Sequence, residues 1–371
     1  MIPYFALLII PAMFLTVDVK IGKSQRRNAW TLTIKKNSQD SVLPIFFFLL
    51  LMLLMLRHET IGRDLPNYKI FFRNYTDGGL NYVFSSWQEV LFRLYNWIFI
   101  QITDDYQIYL AVTAFITVIP IACVYLQDRS HGFMKIAVFV NMSTFIMLFS
   151  GLRQAMAMAV GMLAYCCVKE RKLGKFLFLG VVATLIHHSG FMVFFMYPLY
   201  HVELRKVHML AVVPMMVGVY IFNRQIFGGI TKLLGSLTDK YEATMTSTGA
   251  YGSLVLFALF AIFAHVVTDR NCCDRETKGL MNFLLMTVVI QCFAPLYDTA
   301  MRMNYYFILF VPIALGKCIT YRKLSMRQVA VVAEAVLSIF FTALFFVNTY
   351  RSYQTGISTL DTNPYIPFWK G

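Results

Sequence analysis

The sequence predicts an all-α, polytopic integral membrane protein, and three observations carry that expectation. Of its 371 residues, 58% are hydrophobic and only 14% are charged, against roughly 25% charged in soluble domains, so the chain cannot cover itself with a polar surface. Apolar runs recur from end to end, as in Pro44–Leu56, Ile136–Phe149, Phe176–Ile186 and Val329–Val347, the last broken by Glu334. None of these runs alternates with the period of two that a barrel strand needs. Backbone in lipid must satisfy its own hydrogen bonds, which leaves helices. The mean hydropathy of +0.61 agrees. One transmembrane domain is expected to fill residues 1–371, with no internal repeat and no soluble module.

Taken in order, Met1–Val17 is apolar from its first residues and lacks a basic n-region and a small-residue cleavage site. It reads as a retained first span, not a cleaved signal. Asp18–Ser41 is the most basic loop, with Lys20, Lys23, Arg26, Arg27, Lys35 and Lys36, and positive loops stay on the cytoplasmic side. Pro44–Leu56 then runs outward and opens an outer loop at 57–105. Within it Trp87–Ile102 is apolar but interrupted by Glu89, Arg93 and Asn96. We expect an interfacial or re-entrant helix near 87–102, because a full span there would carry Arg129 and Lys135 outside.

The remaining spans alternate: Gln107–Leu126, Phe133–Phe149, Arg153–Val168, Phe176–His187, Gly190–Tyr200, His208–Phe222, Ala250–Thr268, Gly279–Pro295, Met303–Cys318 and Gln328–Val347, with a second outer loop at 223–249. Inside they leave Lys169, Arg171, Lys172 and Lys175, then Arg205 and Lys206, then Arg322, Lys323 and Arg327. The expected total is about 12 transmembrane helices, within about two, because short helices escape hydropathy. Most of the net charge of +14 is thereby used in setting topology, and no nucleic-acid module is visible. The seven cysteines show neither CxxC spacing nor a nearby histidine and read as reduced, structural residues. No D-x-D and no carboxylate set marks a metal site, so neither a metal nor another cofactor is expected.

Ionisable residues in membrane segments are costly and by default mark function. Four clusters qualify: Arg63, Asp64 and Tyr68; Arg153 and Gln154; His187, His188 and Ser189; Arg302 with Tyr305 and Tyr306. Each has a plainer reading. Arg153 would snorkel to the interface, the histidines would bond helix ends, Arg302 would pair with Asp298 one turn away, and Gly62 and Pro66 would only shape a loop. The topology drawn from loop charges nevertheless puts all four at the outer face, where surplus arginine is disfavoured, so they are expected to converge on one outward-facing cavity. Arginine presents a planar fork suited to phosphate oxygens, so two of them suit a phosphate or pyrophosphate. Asp64, Glu89 and His187 are the groups able to take a proton from a hydroxyl.

At these residues the sequence resembles the EpsG family, a branch of the Wzy-type polysaccharide polymerases of bacteria. The matching pieces are Arg57 with Ile61-Gly62-Arg63-Asp64-Leu65-Pro66-Asn67-Tyr68, Glu89 in Trp-Gln-Glu-Val-Leu-Phe, Gly151-Leu152-Arg153-Gln154-Ala155, Ile186-His187-His188-Ser189, Arg302-Met-Asn-Tyr305-Tyr306-Phe307, and the tail Asn363-Pro364-Tyr365-Ile366-Pro367. Arg63 departs from the family, which commonly has a small polar residue there. The resemblance implies a metal-independent glycosyltransferase at the outer face of the bacterial cytoplasmic (inner) membrane. It would move a growing glycan from undecaprenyl pyrophosphate to a sugar hydroxyl of another lipid-linked repeat unit, building an exopolysaccharide, capsule or O-antigen chain.

On this reading Arg153 and Arg302 hold the pyrophosphate, and Asp64 or His187 deprotonates or orients the acceptor. Arg63, Tyr68, Glu89, Gln154, His188, Ser189 and Tyr305 bind substrate. Expected partners are the undecaprenyl-pyrophosphate-linked oligosaccharide, membrane lipids, a chain-length regulator and a flippase. The rival classes are a lipid-linked oligosaccharide flippase or other transporter, and a membrane glycan ligase or acyltransferase. Transporters often carry two related halves, and no such symmetry is seen here.

Overall fold

The computed structural model describes residues 1–24, 29–37, 40–204, 214, 216–234, 250–295, 298–357 and 362–370. Helix α1 is Ile2–Met13, and α2 is Val42–Met55. Between them the basic loop is not irregular: β1 (Thr16–Ser24) pairs antiparallel with β2 (Ala29–Asn37), with Val19 opposite Ile34 and Ile21 opposite Leu32. The segments Thr-Val-Asp-Val-Lys-Ile and Trp-Thr-Leu-Thr-Ile-Lys alternate with period two and are rich in β-branched residues, which favours strands. Reading the loop for charge alone passes over that pattern. Arg26 and Arg27 lie outside the described residues.

The stretch expected as an outer loop is mostly helical, with α3 at Leu65–Ser85, kinked at Gly79, and α4 at Val90–Ile100. Then come α5 (Tyr106–Tyr125), α6 (Gly132–Val140), α7 (Ser143–Ser150), α8 (Leu152–Lys169) and α9 (Leu173–Ile186). A 3-10 helix, His188–Phe195, continues into α10, Met196–His201. The rest are α11 (Asn223–Leu234), α12 (Tyr251–Val267), α13 (Arg275–Gln291), α14 (Asp298–Ile308), α15 (Val311–Thr320) and α16 (Arg327–Thr355). Arg205, Lys206, residues 208–213 and 215 of the expected span His208–Phe222, and residues 235–249 of the second outer loop lie outside the described residues.

By length and composition three described helical stretches suit a bilayer crossing: Tyr106–Tyr125, Ala300–Thr320 and Leu324–Thr355. A fourth path is α6 plus α7, bent by 63° between them. Asn141 sits at that bend and its amide donates to the carbonyls of Ala137, at 2.9 Å, and of Phe341 in α16, at 2.7 Å. Five shorter apolar helices, among them α1, α2 and α9, accompany these. The chain is thus a helical membrane protein, with one short hairpin among the described residues.

Helix α8 organises the bundle. It is rich in Ala, Met and Leu, which are strong helix formers, and buried Ala155, Ala157, Ala159 and Ala164 let neighbouring helices approach closely. Its 18 residues reach about 27 Å, so Arg153 and Lys169 stand at opposite ends. At the Lys169 end an ionic network ties α8 to α13 and α15. Lys169 meets Glu276 at 2.6 Å and Lys317 meets Glu276 at 2.9 Å, while the hydroxyl of Tyr165 donates to Glu276 at 2.9 Å. Close by in the same bundle, Lys135 is fully buried and pairs with Asp128 at 3.0 Å.

Residues 188–201 run between these two ends. Ser189 lies beside Tyr306, while the carbonyl of His201 accepts from Arg275 at 2.6 Å. Fourteen residues are too few for an α-helical span, but eight of them are wound as 3-10 helix, and with its longer rise the segment covers about 25 Å. Gly190 makes that winding fit, since a Cβ there would come within 2.3 Å of the Ala183 backbone in α9.

Candidate active site

The site is assembled from four places where a helix stops. The first is the turn after α2. Arg57 is buried and its Nη1 donates to the carbonyls of Phe149, at 2.8 Å, and Leu148, at 3.3 Å. These are end carbonyls of α7, where a positive charge is favoured by the helix dipole. Gly62 follows with φ of +126°, a conformation only glycine adopts freely, and a Cβ there would lie 2.2 Å from the Phe149 carbonyl oxygen. This close approach puts Asp64 on Ser150: the Asp64 N–H donates to Ser150 Oγ at 3.2 Å, and the hydroxyl donates to Asp64 Oδ2 at 3.0 Å.

Gly151 separates α7 from α8, and Arg153 falls in the first turn of α8. A cation at the positive end of a helix is unfavourable on its own. It is held by neighbours: Nη1 donates to Glu89 Oε2 at 2.6 Å, and both Nε and the backbone N–H approach the Tyr68 hydroxyl at 3.5 Å. The guanidinium also lies over Trp87, 4.7 Å from the ring centroid, and 5.8 Å from that of Phe92, a cation–π arrangement that orients the plane.

Glu89 is the residue before α4, with extended backbone and a side chain only 4% exposed. Its Oε1 accepts the His188 N–H at 3.2 Å. Burial pushes its carboxyl pKa up, but Arg153 and then His187 pull it down by more, so it lies below its ordinary value and is a carboxylate at neutral pH. His187 occupies the extended break between α9 and the 3-10 helix. Its Nδ1 lies 4.0 Å from Glu89 Oε1. Its Nδ1 accepts the Ser189 N–H at 3.1 Å, which puts the ring proton on Nε2.

From there the network crosses to α14. Ser189 Oγ lies 3.1 Å from the Tyr306 hydroxyl. The Gln154 amide donates to the Arg302 carbonyl at 2.6 Å and approaches Ser189 Oγ at 3.5 Å.

Tyr68, Glu89, Arg153, Gln154, His187, Ser189 and the backbone of Arg302 therefore form one connected set, with His188 joined through its N–H. Asp64 is attached through Ser150. The side chains of Arg63, His188 and Arg302 are exposed and Tyr305 is buried. Two contributors carry no role in the sequence reading, Trp87 beneath Arg153 and Ser150 beneath Asp64, while Tyr306, which meets Ser189, is named there in the Arg302 cluster without a role of its own. Trp87 stands two residues from Glu89, so the signal available is adjacency. Nothing marks Ser150. The expected alternative pairing of Arg302 with Asp298 falls on a side chain outside the described set. Among the described residues no group of three His, Cys, Asp or Glu is placed to hold a metal ion.

Compared with known protein families, residues 41–366 match the EpsG family. The chain belongs to the EpsG family. That family is Wzy-type polymerase-like, so a polysaccharide-polymerase-like, glycosyltransferase-like role is the family-level assignment. No curated protein and no solved structure gave a match. The matched range of this EpsG protein takes in every residue of the network and ends in the tail at Ile366. The tail is bound to the turn after α2 by backbone and side-chain hydrogen bonds. The His58 N–H donates to the Ile366 carbonyl at 2.8 Å, the Phe368 N–H donates to that of Leu56 at 2.9 Å, and the Tyr365 hydroxyl donates to the carbonyl of Leu53 at 2.9 Å. The Tyr4 hydroxyl donates to the Thr362 carbonyl. The tail thus straps the turn that carries Arg57, and through it the Gly62–Asp64 turn.

Proposed function

We propose that this EpsG protein joins lipid-linked oligosaccharide repeat units into a surface polysaccharide at the outer face of the bacterial cytoplasmic membrane. The observation that carries the reading is Arg153, a guanidinium fixed by Glu89, Tyr68 and Trp87 at the N-terminus of α8. A helix N-terminus and a held arginine fork both favour a multivalent oxyanion. Arg302, on the chain segment whose carbonyl Gln154 grips, supplies a second guanidinium. Membrane-embedded helices around such a site suit a donor whose pyrophosphate carries a polyprenyl tail.

In this proposal an acceptor sugar hydroxyl attacks the anomeric carbon of the donor. A glycosidic C–O bond forms as the C–O bond to the pyrophosphate breaks, and the lipid pyrophosphate leaves with the electron pair. Arg153 and Arg302 stabilise the charge that develops on it. The hydroxyl proton passes to a carboxylate, and Asp64 suits this role better than His187. Ser150 engages Asp64 Oδ2, whereas Nδ1 of His187 already accepts the Ser189 N–H and lies 3.1 Å from Ser189 Oγ. His187 is then a donor through Nε2, and Glu89 positions Arg153.

The orientation rests on charge. Lys169, Lys172, Arg322 and Lys323 belong to turns at the end opposite Arg153, which the positive-inside rule assigns to the cytoplasm. Helix α4 has 11 residues, about 16 Å, and we place it in the outer interface.

The test is to separate lipid-linked glycans by length in a strain lacking the gene, complemented with wild type or Arg153→Lys. Single units accumulating at the outer face and cleared only by wild type support the proposal. Units held at the cytoplasmic face would instead indicate a flippase and remove the assigned roles.

A further inference from the structure

At the end of the bundle that carries Arg153 there is a cavity of about 350 Å³, lined by none of the residues of the network above. Its walls come from the turn after α2, from α3, from the start of α5 and from the tail. Helix α3 separates the two sites: Tyr68 faces Arg153, while Lys69, Phe72 and Arg73 line the cavity, about a quarter turn around the helix axis. Tyr106, another wall, is fixed by donating its hydroxyl to the Leu65 carbonyl at 3.0 Å.

The lining excludes several ligands. Lys69 and Arg73 are outnumbered by Glu59, Asp104 and Asp105, and Lys69 is already paired with Glu59 at 2.5 Å, so a phosphate is disfavoured. Asp105 Oδ1 is committed to the N–H groups of Gln107 and Ile108 at the start of α5, and no metal-holding group exists among the described residues. What stays available is an exposed carboxylate, Asp104, an exposed guanidinium, Arg73, and the open ring of Phe368, 43% exposed. Carboxylate and guanidinium take the donors and acceptors of sugar hydroxyls with charge-assisted strength, and an aromatic face takes the apolar C–H face of a sugar ring. The volume is in the range of small-ligand sites.

We propose that this cavity is a glycan subsite that grips a distal sugar of the growing chain while its reducing end is held at Arg153. The inference rests on the polymerase reading for which glycan is held and not for the existence of the site. A polymerase that keeps hold of its product through such a subsite adds more units before release.

The experiment has two arms. In the first, oligosaccharides freed by mild acid from the strain's own surface polymer are titrated against the full-length protein in lipid nanodiscs. Wild type is expected to bind, and Asp104→Asn and Phe368→Ala to bind about tenfold more weakly, the worth of one charge-assisted hydrogen bond or ring contact. Asp104→Asn is nearly isosteric at an exposed position, so unfolding does not confound it. In the second arm the same variants complement the deletion strain, and shorter polymer is expected from both. Wild-type affinity in both variants, or no binding by wild type, overturns the subsite even if Arg153→Lys abolishes polymer. Binding that depends on Asp104 and Phe368, in a protein whose deletion leaves polymer intact, keeps the subsite and overturns the polymerase reading.

Discussion

The two ends of α8 use their charges in opposite ways. At the Lys169 end the charges balance: Lys135, Lys169 and Lys317 face Asp128, Asp274 and Glu276, each lysine with a carboxylate within 3.5 Å. Lys169 also sits at a helix C-terminus, where a cation is favoured. At the Arg153 end the cation stands where the dipole opposes it, with Glu89 as its carboxylate partner, and the exposed guanidinium of Arg302 lies across Gln154. A balanced network rigidifies a bundle. An arginine at a helix N-terminus, kept in place by a carboxylate, a tyrosine and a tryptophan, is preorganised for an anion.

This contrast is best broken by exchanging the expected losses of function and of stability. Arg153→Lys keeps the charge and loses the fork, so polymer formed per folded protein should fall by on the order of 100-fold with an unchanged melting temperature. Glu89→Gln should produce a comparable fall by releasing the guanidinium, again with the protein still folded by gel filtration in detergent. Near-normal polymer in either variant would make the Arg153 end structural after all.

At the other end Glu276→Gln removes the carboxylate that Lys169 and Lys317 share and leaves Lys317 with Asp274 at 3.5 Å. The expected cost is about 2–3 kcal/mol, below the range for a fully buried pair because these side chains are partly exposed. It should be seen as a lower thermal midpoint, with specific activity of the folded fraction changed by less than about twofold. Gly62→Ala belongs between the two classes. Its Cβ meets the Phe149 carbonyl and its φ is unfavourable, so activity should drop about tenfold as Asp64 leaves Ser150, with a smaller loss of stability.

The smallest effect concerns pH. Burial raises the Glu89 pKa but Arg153 and then His187 lower it by more, so the carboxylate that holds Arg153 stays ionised throughout the range above the ordinary carboxylate pKa. The acid limb of the pH–rate profile should therefore lie well below pH 6. A limb centred near 6.5 would mean that an ordinary histidine governs the rate.

How much of this was legible follows from what each signal depends on. Membrane helices were readable because apolar composition is a bulk property, and the short clusters were readable because arginine and histidine in apolar runs have few cheap explanations. Helix α3 was not, since its residues are polar over much of their length and its buried positions, Leu65, Tyr68, Phe72 and Tyr75, are spaced for a helix that the word loop concealed. The hairpin was hidden by its own lysines. Ser150 was beyond reach, because a serine acquires meaning only from the carboxylate that a distant turn brings to it.

The 3-10 winding of residues 188–195 also acts as a ruler. Rewound as an α-helix, the same eight residues would be shorter by about 4 Å, more than the 3.1 Å that separates Ser189 from both Tyr306 and His187. Pitch, and not sequence length, thus fixes the height at which Ser189 meets Tyr306 and Gln154, and any shortening of the coil would draw Ser189 out of register with both.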